Sequence, residues 1–337
     1  MAAALKAMFD KKGLALTRAK LRAWWEGETF DQEAALAEIE AKLAEQPVAN
    51  DAAIEDELFD EEPYEPPSRL AALSHLWGDD RVRPGDSTAD KLEPARIGLA
   101  AEGVLAVLGP GLAGPLAAVA GAHPGKIEAF EWREETFEAL LYGLKQAKLE
   151  ERVSATRIDL EAHVFTPASF DGLLSIDDFA YCGYPPHLAQ QIMKALKPGA
   201  CAVVESYVGL KSPELATAFA SSFAEPQIRA HGDVLQFFTD AGLILEADED
   251  MTDEFLATAR GAFKALGDRL KEAGALEVAV ARELAWEAEA WRTRLLLLAT
   301  RRLERRRFIL RKPADDGAAT EASAEESQAG NANAPAD

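Results

Sequence analysis

A chain of 337 residues, 48% apolar, has enough material to bury a sizeable core; global disorder is excluded, and the length suits two domains or one α/β domain with appendages. Lysine and arginine total 36 against 58 acids, a formal charge of −22, so the chain repels phosphates and no nucleic-acid partner is expected. Two cysteines, Cys182 and Cys201, cannot frame a disulfide scaffold and suit a reducing, cytoplasmic compartment, while the five histidines show no ligand spacing, so no metal site is expected.

The first 25 residues carry six bases against Asp10, and Lys6, Asp10, Lys11 and Lys12 interrupt the apolar stretch, so it does not read as a signal peptide. Leu14, Leu21 and Trp25 share a helical face there, and a second helix is expected after Asp31 with Ala35, Leu36, Ile39 and Leu43 as its stripe. Residues 26–66 hold fifteen acids against Lys42, and the Pro-containing run from Pro47 to Pro67 reads as a linker. Residues 1–66 are thus expected to form a helical, acidic extension, a possible protein-partner site. Gly103–Gly125 carries no formal charge, but its six glycines and three prolines favour a buried strand, a Gly-rich turn and a short helix over a transmembrane segment.

From there strands and helices alternate. Strands are predicted at Val104–Leu108, Lys126–Trp132, Arg152–Asp159, Asp171–Ile176, Ala200–Val208 and Leu243–Glu249, and a last one at Arg307–Lys312. Helices are predicted at Gly114–Ala122, Glu134–Leu149 (apolar face Phe137, Leu140, Leu141, Leu144), Pro186–Leu196, around Asp233–Ala241, and over 253–273 and 277–304. A Lys-Pro-Gly turn at Lys197–Gly199 separates a helix from its strand. Leu284, Trp291, Leu295 and Leu298 have core spacing, and the arginines at 301, 302 and 305–307 read as solvated ion pairs or as a docking face for residues 50–66. Residues 313–337 contain no large apolar side chain and read as a disordered acidic tail after a domain at 67–312.

The first of these strands leads into Gly109-Pro110-Gly111-Leu112-Ala113-Gly114. Glycines let a nucleotide approach the backbone, and the next helix's first turn offers N–H groups. Glu131 ends the second strand, 22 residues after Gly109, where a carboxylate can accept hydrogen bonds from ribose hydroxyls. The pattern suits a dinucleotide as well, so an NAD-dependent oxidoreductase is one alternative.

Several segments in order resemble class I S-adenosylmethionine-dependent methyltransferases of the small-molecule type, over residues 98–312. VLAVLGPGLAGPLAAVA resembles the family's first motif, RVSATRIDL its third-strand segment, SFDGLLSIDDF (Ser169–Phe179) its fourth-strand motif, LKPGACAVVES (Leu196–Ser206) its fifth strand, and HGDVLQFFTDAGLILEADEDMT (His231–Thr252) the helix and sixth strand. The resemblance implies a Rossmann-like, seven-stranded, mostly parallel sheet with helices on both faces and an antiparallel last strand. It implies S-adenosylmethionine as cofactor and a small-molecule substrate. It places Gly109, Gly111, Gly114, Glu131, Trp132, Asp159, Leu160 and Ser175 at the cofactor, with Asp159 near the adenine amino group. The family usually has an acid two residues before the first glycine; here Val107 stands there, and Ala113 stands where a third close glycine is common. A catalytically silent binding protein on the same fold is therefore the other alternative. HLWGDDRVRPGD (His75–Asp86) resembles the segment preceding the core in phosphoethanolamine-type enzymes, which makes Trp77 and Arg83 a lid; otherwise Trp77 packs on the core and Arg83 joins a surface ion pair.

The loop after the fourth strand, Asp177 to His187, is the expected substrate side. Asp177, Tyr181 and His187 are its candidate proton acceptors. Cys182 has no identifiable activating neighbour and reads as a loop cysteine.

Overall fold

The computed structural model describes residues 64–78, 80–209 and 227–314, with isolated positions 34 and 37. The chain divides into two compact units, Met1–Tyr64 and Glu65–Asp337, and every element below belongs to the second. Apart from positions 34, 37, 64–67, 313 and 314, the N-terminal helices, the acidic linker and the C-terminal tail of the sequence reading lie outside the described residues.

In chain order the elements are α1 (Ser68–Trp77), α2 (Ser87–Ile97), β1 (Leu105–Leu108), α3 (Ala113–Ala122), β2 (Ile127–Glu131), α4 (Glu134–Gln146), β3 (Val153–Arg157), β4 (Phe170–Ile176), α5 (Asp178–Tyr181), α6 (Pro185–Ala195), β5 (Leu196–Gly209), β6 (Arg229–Ala230), α7 (His231–Asp240), β7 (Ile244–Asp250), α8 (Thr252–Ala273), α9 (Val278–Ala299) and β8 (Leu303–Arg311). The sheet runs β3-β2-β1-β4-β5-β8-β7, and the two-residue β6 adds an eighth strand beside the end of β5. The pairs among β1–β5 are parallel, whereas β8 lies antiparallel between β5 and β7. The expected Rossmann-like architecture with a reversed last strand is what forms.

Alternation along the strands sends side chains to two cores. Ala106, Leu108, Phe130, Leu173 and Val204 meet α6 and α7 on one face. Leu105, Val107, Ala129, Leu174 and Val203 meet α3, α4 and the end of α2 on the other. A third cluster joins Tyr207 of β5 and Leu303 of β8 to Leu256 of α8 and Leu297 and Leu298 of α9. Gly103–Gly125 resolves into β1, the Gly-rich turn and α3, and no helix among the described residues is long and apolar enough to cross a membrane.

Three local expectations change. Leu141 of α4 is exposed, because the buried stripe runs through Thr136, Leu140 and Leu144 at fourfold spacing. Lys197–Gly199 is a bulge within β5 rather than a break before it: the β4 register jumps from Phe170↔Leu196 to Gly172↔Cys201, and Gly199 sits at φ +75°. The last helix stops at Ala299 and β8 begins at Leu303, four residues before the predicted start. Arg301 takes φ +54° to make this reversal, and pairing with β5 and β7 outweighs the helix propensity of the Leu/Arg run.

Candidate functional site

The carboxyl edge of β1–β4 gathers the sequence-predicted residues, as the parallel topology requires. Gly109 and Gly111 sit at φ +61° and +80°, backbone states that other residues resist. Gly114 lies in the first turn of α3, and the N–H groups expected to be free there are capped: Ala113 N donates to Asp80 Oδ2 (3.1 Å) and Gly114 N to the Asp80 carbonyl (3.3 Å). Burial raises the Asp80 pKa, opposed by those backbone bonds.

The segment between α1 and α2 covers the loop. Arg83 donates to the Gly109 carbonyl (2.9 Å) and the Pro110 carbonyl (3.2 Å), and a Cβ on Gly111 would meet Val82 at 2.8 Å. Arg83 is buried and has no carboxylate within ion-pair distance among the described residues, and burial holds its pKa below the usual range. Trp77 takes the structural alternative, packed edge-on against Phe263 (5.5 Å) and Trp291 (4.7 Å).

Glu131 is fully buried. One carboxylate oxygen accepts from the backbone N–H groups of Trp132 and Arg133 and from Arg133 Nε; the other accepts from Gly111 N and Arg133 Nη2. Those five donors fill its acceptor capacity. Burial works against the Arg133 charge, but Glu131 outweighs it and raises the pKa. Ser175 Oγ donates to Asp178 Oδ2 (2.7 Å), while the buried Asp178 Oδ1 has no hydrogen-bond partner and lies 2.5 Å from where a Gly109 Cβ would stand. Burial pushes the Asp178 carboxyl up to about 7, with Ser175 opposing and the Glu131 charge adding.

Outside this closed cluster, Trp132, Asp159, Leu160 and Tyr181 line an open cleft of about 560 Å³, within the roughly 300–1,000 Å³ typical of small-molecule sites. The Trp132 and Tyr181 rings face each other at 5.4 Å. Asp159 accepts from Glu161 N through one oxygen (2.8 Å). Asp177, at φ +73°, pairs with Arg305 across the end of β5. His187 is on α6 with Nε2 3.0 Å from the His163 carbonyl, and does not line the cleft. Cys182 is buried, and burial pushes its thiol up to about 11, consistent with a loop cysteine that is no nucleophile.

The fold therefore brings Trp132, Asp159, Leu160 and Tyr181 together, assembles Gly109, Gly111, Glu131 and Ser175 in a separate buried cluster, and leaves Gly114 and His187 apart. Sequence reasoning did not single out Arg133 or Asp178 as part of this site. The signal for Arg133 was its place two residues after Glu131, across the strand end. The outer cleft fits an adenine ring and its amino group. The inner half does not fit a ribose or an amino-acid tail as arranged: Glu131 has no acceptor left, Asp178 lies against Gly109, and the space beside Arg83, Arg133, Asp177 and Tyr181 is about 30 Å³, little more than a water molecule.

No family model and no curated protein matches the chain. Solved structures do. Haemonchus contortus phosphoethanolamine N-methyltransferase 2, in complex with phosphomonomethylethanolamine and S-adenosylhomocysteine, aligns at 20% identity and a TM-score of 0.61 over 72% of this chain and 57% of that one. A putative sarcosine dimethylglycine methyltransferase from Galdieria sulphuraria aligns at 13% identity and 0.55, over 67% and 85% of the two chains. The cyclase SpnF aligns at 15% and 0.53, over 75% and 98%. The alignment spans a little over half the length of the Haemonchus enzyme. The chain has the fold of class I S-adenosylmethionine-dependent methyltransferases, a fold that in SpnF carries a cyclase name.

Proposed function

We propose that the protein is an S-adenosylmethionine-dependent methyltransferase acting on a small molecule. The observation that carries this reading is the juxtaposition, at one sheet edge, of a left-handed glycine loop, an acid ending β2, and an aromatic cleft beside the end of β3. Trp132 and Leu160 would hold the adenine ring and Asp159 its amino group; the cofactor would supply an activated methyl group. Gly109, Gly111, Glu131 and Ser175 would serve its sugar and amino-acid ends only after Arg133 and Arg83 leave their present partners. Asp177 and Tyr181 stand nearest this region, and Asp177 is held by Arg305. The strand order argues against the dinucleotide alternative, since β8 is inserted antiparallel where the dinucleotide fold continues in parallel.

The saturation of Glu131 and the apolar Val107 favour a second reading, a methyltransferase fold that binds without catalysing. Calorimetric titration of the full chain with S-adenosylhomocysteine separates the two. The enzyme reading expects saturable binding that Trp132→Ala weakens; absence of binding in the wild type leaves the silent fold.

A further inference from the structure

The outer half of the nucleotide site is open, the inner half is shut, and one side chain stands at the boundary. Arg133 is the residue immediately before α4, two after Glu131. Its guanidinium lies over the Trp132 ring, 4.9 Å from the centroid, and Trp132 lines the open cleft. Arg133 also borders the inner space of about 30 Å³, beside Arg83 and Asp177. Tyr181 lines both spaces. Arg133 therefore stands between the adenine-sized cleft and the inner space, where the ribose of a bound nucleoside would run.

The same guanidinium holds the carboxylate that a ribose needs. Arg133 Nε is 2.7 Å from one Glu131 oxygen and Nη2 is 2.8 Å from the other, a two-pronged pair whose side chains are 9% and 0% exposed. Paired bonds of this geometry are among the strong ones, and a carboxylate has about four acceptor positions. The other three donors to Glu131 are the backbone N–H groups of Gly111, Trp132 and Arg133. With the guanidinium withdrawn, about one position becomes free for a hydroxyl. Withdrawal needs rotation about side-chain bonds alone, since the Arg133 N–H has its own bond to Glu131. The bonds made by Asp80 and Arg83 hold the glycine loop and the start of α3, and leave Glu131 untouched.

We infer that Arg133 is a gate: its guanidinium occupies the ribose position, and a ribonucleoside enters only when the Arg133 side chain leaves Glu131. The inference rests on the nucleotide reading of the Trp132 cleft. The closed arrangement neutralises a buried carboxylate, so the open one is the minor state, and the apparent affinity for a ribonucleoside falls in proportion to its population.

Three probes are titrated by calorimetry into the full chain and into its Arg133→Ala variant. Adenine needs only the open cleft, adenosine adds the ribose, and S-adenosylhomocysteine adds the amino-acid tail beside Arg83. Arg133→Ala should bind adenosine about tenfold or more tighter than wild type, as an open state populated at about a tenth or less implies, with adenine affinity equal in the two. Adenosine binding no tighter in a folded Arg133→Ala protein overturns the gate, and so does an equal gain for adenine. Should the variant not fold, the Arg133 Nε–Hε resonance of the wild type decides. Adenosine should displace it further than adenine does, and equal displacement overturns the inference. If S-adenosylhomocysteine binds neither protein while adenosine gains, the methyltransferase reading falls and the gate stands. If S-adenosylhomocysteine binds while adenosine gains nothing, the gate falls and the reading stands; silence from all three probes overturns both.

Discussion

Asp178 has a strongly displaced titration, with its carboxyl pushed up to about 7 by burial. As pH rises from about 4, an unfolded aspartate loses its proton while the native one keeps it until about 7. The native state binds more protons over that window, so this group makes stability fall with pH, and the whole cost is present above 7. Asp178→Asn removes the titration and leaves an acceptor for Ser175. Its stability relative to wild type should therefore rise between pH 5 and pH 8, by roughly 2–3 kcal/mol. Urea melts at the two pH values check this; a difference independent of pH would show that Asp178 is ionised throughout. Val107 tests the first-motif departure. It is 2% exposed, in the apolar cluster with Leu116 and Leu174. Val107→Asp should destabilise the protein by several kcal/mol and bring no gain in S-adenosylhomocysteine affinity, because an unpaired carboxylate would enter an apolar core. Thermal denaturation with calorimetry reads both.

Among the elements, α1 is tied to the long helices rather than to the sheet. Trp77 sits between Phe263 of α8 and Trp291 of α9, Arg69 pairs with Glu287 at 2.5 Å, and Arg269 of α8 donates to the His75 and Leu76 carbonyls. That anchoring positions the following segment, which carries Arg81 and Arg83. Trp77→Ala should cost about 3–5 kcal/mol by emptying a packed aromatic site, measured by chemical denaturation. The terminal arginines show what one strand does to charge. Solvated pairs are the expectation for Arg305 and Arg307, yet both are buried, matched to Asp177, Glu205 and Glu93 from elements distant in sequence. Arg306 pairs with Asp248 and Glu304, and Arg301 with Asp250 and Asp253.

For the whole molecule, the closing strand decides integrity. β8 pairs with β5 over nine positions and with β7 on its other side, so truncation after residue 302 leaves two sheet edges unpaired. That protein should aggregate or fail to fold. Removal of residues 315–337 takes away no large apolar side chain and spares the Gly199 N bond to the Lys312 carbonyl (3.1 Å). It should leave Tm unchanged, and differential scanning calorimetry of the two truncations checks the contrast.

The sequence alone determined what depends on local pattern. The order of strands and helices from Val104 on, the glycine turn, the acid at the end of β2 and the core stripe of α9 follow from periodicity and from backbone states that only certain residues adopt. Tertiary structure decided what depends on which groups meet. Glu131 stands at the strand end as expected, but Arg133, Gly111 and burial decide that its oxygens are taken. The reversal at Arg301 carries no glycine or proline signal, and the pairing of Leu303–Arg311 with two strands outweighs the local preference. Arg83 and Arg305 read alike in sequence; only the fold ties Arg305 directly to Asp177 and Glu205 and Arg83 to the Gly109 and Pro110 carbonyls, because each partner comes from far along the chain.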